Sequence, residues 1–249
     1  MVAGRTRRCC SVLNWRVGGG LGLDGGMAEY MLVPSARLLV PLGGLSPSKA
    51  APLSDAALTP YHAIKRALPS LNADSTAVVI GVGGLGHMAI QLLRVLAPVR
   101  IVAADIDDKK LQQAKALGAD DIVNNRNAAE AAERIQQITG PRGAGLVLDC
   151  IGVQPTLELG AKLPGRNSVW PIVGLGRGRH YFRHGSTPYG TVLSIPYWGS
   201  RVELMEVIAM ARVGRIQAET TEFPLTQAVD VYARLKAGQI TGRAVLIPA

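Results

Sequence analysis

Residues 75–80 (Ser-Thr-Ala-Val-Val-Ile) run without a break into Gly81-Val82-Gly83-Gly84-Leu85-Gly86, and this junction narrows the available folds more than any other stretch. A short run of β-branched and small apolar residues predicts a strand covered on both faces, as in a parallel sheet. From His87 the chain reads HMAIQLLRVLA, with Met88, Leu92, Val95 and Leu96 at helical spacing and Pro98 where a helix should stop. A second strand, predicted over 99–104, ends at Asp105, nineteen residues past Gly86. Strand, glycine turn, helix, strand and acid in that order predict a βαβ unit shaped for a dinucleotide pyrophosphate. Gly81 suits the tight turn, Gly83 admits a phosphate against bare backbone, and Gly86 allows the helix to pack close on the strand. The helix N-terminus then faces the anion. Asp105 is placed to accept from both adenosine ribose hydroxyls, whereas a 2′-phosphate there meets like charge. Two unit charges about 4 Å apart repel by roughly 4 kcal/mol at an effective dielectric near 20. NAD is therefore expected over NADP, with Lys109 and Lys110 softening the preference.

The 249 residues are 48 % hydrophobic, enough to bury a large core in one domain or in two smaller ones. A formal net charge of +9 raises nucleic acid as a partner, but the basic residues are scattered apart from Arg5, Arg7, Arg8 and a cluster from Arg177 to Arg183. Aromatic residues, at 4 %, do not interleave with those clusters as a base-stacking platform requires, so the charge is read as an aid to solubility. Cys9, Cys10 and Cys150 make no disulfide framework and point to a reducing cytoplasm. The apolar stretch after the first arginines is interrupted by Ser11, Asn14 and Arg16, too soon for a signal-peptide core, and no apolar run reaches membrane-spanning length.

Up to about Gly26 the chain is rich in Arg and Gly without periodicity, an irregular lead-in. Residues 28–33 and 38–40 read as short strands ended by Pro34 and Pro41. Residues 50–68 are helical in composition, interrupted by Pro52 and Pro60, the second suited to a first helical turn. Beyond Asp105, helices over 109–117 (ending at Gly118), 128–138 (ending at Gly140) and about 156–163 alternate with strands over 121–123, 146–150, 169–173 and 191–195. This alternation predicts an α/β fold with a doubly wound parallel sheet. An amphipathic helix over 201–213, a helix over 227–236 and a strand over 244–247 close the chain.

The segments GGMAEYMLVPSARLLVPL, APLSDAALTPYHAI, STAVVIGVGGLGHMAIQLLR, DIDDKKLQQAKALGADD, IPYWGSRVELMEV and AGQITGRAVLIP, spread from Gly25 to Pro248, resemble the medium-chain, zinc-dependent alcohol dehydrogenases. The likeness is strongest to the bacterial NAD-linked secondary alcohol dehydrogenases. It implies a Rossmann doubly wound sheet and an incomplete, sequence-split GroES-like β-rich catalytic domain. The implied division is a lead-in over 1–24, a catalytic-domain remnant over 25–56, the NAD-binding domain over 57–199 and a return to the catalytic domain over 200–249. It also implies a small alcohol or ketone substrate, hydride transfer to or from NAD, and a homodimer paired through the sheet-edge strand from Thr191 to Ile195. Residue by residue, Gly81, Gly83, Gly84 and Gly86 match the family's pyrophosphate turn, Leu85 its bulky residue behind the nicotinamide, Asp105 its ribose acid and Lys110 a second ribose contact. Val173, Gly174 and Leu175 resemble the stretch beside the nicotinamide ring, Thr59 a residue near its reactive carbon, and Arg243 a pyrophosphate partner. Tyr197 and Trp198 resemble part of the substrate-pocket wall.

Zinc in such enzymes needs three protein ligands and an open position. Asp55 matches the third ligand, while the cysteine and histidine that match the first two are absent from this sequence, as is the hydroxyl relay for the alcohol proton. Cys10, by its distance from Met27, matches the last of a four-cysteine structural lobe. His180 and His184 have the spacing that sets two imidazoles on one helical face, but Gly178, Arg179, Arg183 and Gly185 around them predict a loop. His62 is read as a polar residue near a helix start. The expectation is thus an NAD-dependent alcohol dehydrogenase whose chain alone binds dinucleotide without turnover. The alternatives are a non-catalytic NAD-binding module, or truncated relic, and a zinc-independent quinone or enone reductase, the latter disfavoured by the setting of Asp55. An exposed apolar surface is also expected where the family's amino-terminal part covers the cleft.

Overall fold

The computed structural model describes residues 18–19 and 22–248, so Cys9, Cys10 and most of the expected lead-in lie outside the described residues. Two two-residue strands, β1 (Gly18–Gly19) and β2 (Gly22–Leu23), pair in parallel at the start. A short helix α1 (Pro47–Ala50) and a 3₁₀ turn (Ala51–Ser54) lead to α2 (Leu58–Ala67), with Pro60 in its first turn, where its missing N–H costs nothing. The expected helix over 50–68 is thus broken in two, and Asp55 sits in the break at φ −131°.

The central unit then unrolls as β3 (Thr76–Ile80), α3 (Gly86–Leu96), β4 (Arg100–Asp105), α4 (Asp108–Ala116), β5 (Asp121–Asn124), α5 (Ala128–Thr139), β6 (Ala144–Asp149), α6 (Gln154–Gly160), β7 (Pro164–Pro171) and β8 (Val192–Ser194). All six strands are parallel, in the order β5-β4-β3-β6-β7-β8. Strand β3 is buried at every position, as its uninterrupted apolar run requires. Each buried Val or Ile there contributes about 1.5–3 kcal/mol relative to exposure. One apolar layer, with Ile64, Val79, Ile90, Leu93 and Leu148, lies on the α2 and α3 side, and a second, with Val78, Ile80, Ile135, Leu157 and Trp170, on the α5 and α6 side.

The last elements are α7 (Arg201–Arg212), β9 (Thr220–Pro224), α8 (Ala228–Lys236) and β10 (Arg243–Ile247). Helix α7 begins with a capping box, Ser200 and Glu203 bonding each other's backbone amides. Its Val207 and Ile208 join the apolar layer of α2 and α3. Strand β9 pairs in parallel with β10 as a separate sheet. Sequence reasoning missed β9 because its side chains are exposed or half-buried throughout and carry no apolar alternation.

The two strands expected over 28–33 and 38–40 do not form. Residues 28–33 have no regular structure and Ala36–Leu38 is a 3₁₀ turn capped by Ser35. A strand needs a neighbouring strand for its N–H and C=O groups, and no described strand pairs with either segment. Tyr30 and Leu32 are nearly fully exposed, which agrees with the expected apolar surface.

Candidate functional site

The strand order reverses between β3 and β6, so the loops after these neighbouring strands part and leave a crevice at their carboxyl ends. The turn from Gly81 to Gly86 fills one wall. Gly81 has φ +90°, a conformation that side chains rarely adopt, and its N–H donates to the Ala104 carbonyl at 2.7 Å. Gly83 is exposed, and a Cβ added there would meet nothing within 4 Å. Gly86 is buried, and a Cβ there would overlap the Gly81 carbonyl oxygen. Open backbone at Gly83 and close packing at Gly86 are the two properties a pyrophosphate cradle requires, and α3 begins at Gly86, so its N-terminus lies at the turn.

Asp105 closes β4 and is buried. Its Oδ2 accepts from the Val82 amide at 2.7 Å and its Oδ1 from the Asp107 amide at 3.0 Å. The acid therefore ties the glycine turn to the end of the neighbouring strand, a second role that sequence spacing did not reveal. Each oxygen keeps a further lone pair for a ribose hydroxyl. Lys109 and Lys110 are exposed on α4. Asp149 ends β6 in the same manner: it is fully buried and its Oδ1 accepts from the Ile151 and Gly152 amides, both at 2.9 Å. Burial raises its carboxyl above the usual range, and those two amides offset only part of that. Gly152, at φ +71°, lets the backbone of Gly174 approach. An acid ending an apolar strand just before a glycine, as in Leu-Val-Leu-Asp-Cys-Ile-Gly, was the available signal.

His87, in the first turn of α3, is also buried. Its Nδ1 lies 3.0 Å from the Gly83 carbonyl, and burial lowers the imidazole below the usual histidine range. Leu85 packs half-buried on the core, Val173 is buried, and the Gly174 amide donates to the Asp149 carbonyl at 3.2 Å, which brings Val173 and Gly174 to the crevice beside β6. Leu175 points outward and is 83 % exposed.

A second cluster forms around Asp55. Its Oδ1 accepts from the Thr59 hydroxyl at 3.3 Å and from the Trp198 indole N–H at 3.1 Å, and its Oδ2 lies 3.6 Å from Arg243 Nη2. Arg243 opens β10 and extends over the turn, so that a Cβ on Gly84 would stand 2.5 Å from Nη1. Trp198 holds φ 50°, a conformation costing a non-glycine residue about 1–2 kcal/mol, which the bond to Asp55 helps to maintain. Tyr197 packs against it with ring planes tilted by 36° and centroids 4.6 Å apart. Behind them His62 Nδ1 meets the Glu203 carboxylate at 2.9 Å, an α2–α7 link rather than an isolated helix-start residue. His180 and His184 lie in a loop, as expected, and face different partners: His180 packs edge-on to Trp170 at 5.3 Å, His184 against Tyr189 at 5.7 Å.

A parallel sheet with a topological switch, a positive-φ glycine turn at its central strand and an acid on the next strand define a Rossmann-type α/β fold. The family model described as zinc-binding dehydrogenase matches residues 84–189. The chain is 32 % identical over 236 residues to an NAD-dependent alcohol dehydrogenase of Sulfurisphaera tokodaii, covering 92 % of this chain and 66 % of that protein. It is 32 % identical over 229 residues to a D-arabinose 1-dehydrogenase (NADP(+)) of Saccharolobus solfataricus, covering 90 % and 65 %. Among solved structures, the alcohol dehydrogenase of the hyperthermophilic archaeon Aeropyrum pernix superposes with a TM-score of 0.83 at 36 % identity, covering 92 % of this chain and 67 % of that one. The chain belongs to the medium-chain, zinc-dependent alcohol dehydrogenase family and spans about two thirds of the length of the curated relatives it matches.

The family name implies zinc, but the side chains described do not fit a zinc centre. Both oxygens of Asp55 already face protein donors, Thr59, Trp198 and Arg243, and a cationic guanidinium is the wrong neighbour for a divalent metal. Among the described residues no three His, Cys, Asp or Glu side chains come together. The dinucleotide fares differently, since the bare backbone at Gly83, the cation over Gly84 and the carboxylate of Asp105 match its phosphates and ribose.

Proposed function

We propose that this chain binds NAD across the β3–β6 crevice and serves an oxidoreductase that moves hydride between a secondary alcohol and the nicotinamide. The observation that carries this reading is the open backbone of Gly83, next to Gly84 under the Arg243 guanidinium and three residues before α3 begins. In this reading the amides of the turn and Arg243 hold the pyrophosphate, and Asp105, beside Lys110 on α4, holds the adenosine ribose. Leu85, Val173 and Gly174 back the nicotinamide, with Leu175 at the exposed margin. Thr59, Tyr197 and Trp198 line the space in front of it. NAD supplies the hydride acceptor when bound, and the protein's part is to orient it and exclude water on the Leu85 side. The division into a catalytic remnant over 25–56, a nucleotide domain over 57–199 and a catalytic return over 200–249 belongs to the same proposal. Because Asp55 is engaged by protein donors, a second reading is favoured for the chain by itself: a dinucleotide-binding module without turnover.

Calorimetric titration with NAD is expected to give saturable heat, with NADP at least about tenfold weaker, a difference of 1.4 kcal/mol. With zinc and a secondary alcohol added, nicotinamide absorbance is expected to stay flat. Absence of heat from a folded sample sinks the NAD assignment, whereas a rise in absorbance sinks only the second reading.

Strand β8 ends the sheet, and Val192 and Ile195 on it and just past it are exposed. This supports edge-to-edge pairing of two copies, a homodimer whose sheet is continuous. Sedimentation velocity is expected to return twice the 26.3 kDa chain mass, and a single species at 26.3 kDa would remove the proposal. Among the described residues no helix is long and apolar enough to cross a membrane. The cytoplasmic placement rests on cysteine usage, with Cys150 a free thiol.

A further inference from the structure

Arg243 is shared between two neighbours. Its Nη2 faces Asp55 Oδ2 at 3.6 Å, and its Nη1 hangs over Gly84 at the cradle. Asp55 is the one acidic partner within ion-pair distance of Arg243 among the described residues. The carboxylate is anchored from its other oxygen by Thr59 and by Trp198, so it cannot follow the guanidinium if that group moves. The pair is partly open to water, with side chains 35 % and 47 % exposed, which makes the contact weak enough to break. Its separation, longer than a well-made charged hydrogen bond, points the same way.

From this geometry we propose that Asp55 and the dinucleotide pyrophosphate compete for Arg243, so that Asp55 sets the affinity of the cradle. This rests on the NAD reading above and adds a role for Asp55 separate from any metal. A phosphate over Gly84 brings two acceptor oxygens to Nη1 and draws the guanidinium from its single carboxylate contact. Binding therefore costs the Asp55–Arg243 contact, while the bonds from Thr59 and Trp198 to Asp55 persist.

The test is a double-substitution cycle in the full chain, read by calorimetry with NAD. Asp55→Asn keeps the side-chain shape and an acceptor for Trp198 while removing the charge. It is expected to tighten NAD by about two- to fivefold, the range of an exposed ion pair. Arg243→Ala is expected to weaken NAD, and in that background Asp55→Asn should change nothing. If tightening persists without Arg243, a general field effect of the carboxylate is at work and the competition is overturned. Unchanged or weakened binding in Asp55→Asn, with wild-type heat intact, also overturns it. Heat absent from wild type and variants alike defeats the NAD assignment itself, and the competition with it. Asp55→Ser, with its melting curve recorded alongside, replaces Asp55→Asn should the latter fail to fold.

Discussion

Replacing Gly86 by Ala is expected to destabilise the protein by about 3 kcal/mol or more, at or beyond the upper end of ordinary overpacking. The added methyl falls on the Gly81 carbonyl oxygen, which belongs to backbone and has no rotamer to escape through. Gly81 is itself held, because its N–H bonds to Ala104 in the neighbouring strand and β3 is buried on both faces. The turn must open or α3 must lift from the sheet, and either movement spoils the cradle. Gly83→Ala is the companion. Its methyl enters open space and its φ lies outside the left-handed region, so stability should hold or rise by up to about 1 kcal/mol. The same methyl occupies the approach of a phosphate, and NAD should weaken by about tenfold or more, a loss of at least about 1.4 kcal/mol. Thermal melts and calorimetry on the two variants therefore separate folding from binding. A Gly86→Ala protein with wild-type melting removes the packing argument, and a Gly83→Ala protein with wild-type affinity removes the cradle.

Asp105→Ala is expected to damage both properties together. The backbone amides of Val82, buried, and of Asp107, partly buried, lose a charged acceptor, and leaving the buried one unsatisfied costs about 1–3 kcal/mol. The loss falls on the turn, so NAD should weaken through displaced amides as well as through the missing ribose contact. NADP should lose less, because the repulsion between carboxylate and 2′-phosphate disappears with the side chain. The ratio of the two affinities is the measurement that matters, since unfolding alone lowers both equally. If the NAD to NADP ratio stays at its wild-type value while melting falls, Asp105 is only a structural latch.

The glycine turn, the strands of the main sheet and their helices were legible because each is a local matter, although β7 starts at Pro164, five residues ahead of the expected 169–173, where Pro-Gly-Arg-Asn-Ser carries no apolar run. Residues 77–80 and 101–104 are apolar runs inside their strands, and α3 repeats its buried residues at helical spacing. Helix α5 stops at Gly140 and α4 is followed by Gly118, positive-φ positions that suit glycine. Asp105 could be placed at the end of its strand, but not its bonds to Val82 and Asp107. Residues 28–33 show the limit. Their composition favours a strand, yet strand formation depends on a partner that no local pattern supplies.

The sequence by itself determined the alternation of strands and helices in the main sheet, the cradle and its acid, because periodicity and glycine freedom act over a few residues. Tertiary structure alone decided that Arg243 reaches Asp55, that His62 meets Glu203 and that β9 lies beside β10. Side chains 141 or 188 positions apart, as in the pairs His62–Glu203 and Asp55–Arg243, become neighbours only when packing of the whole chain brings their elements together. That information resides in no window of the sequence.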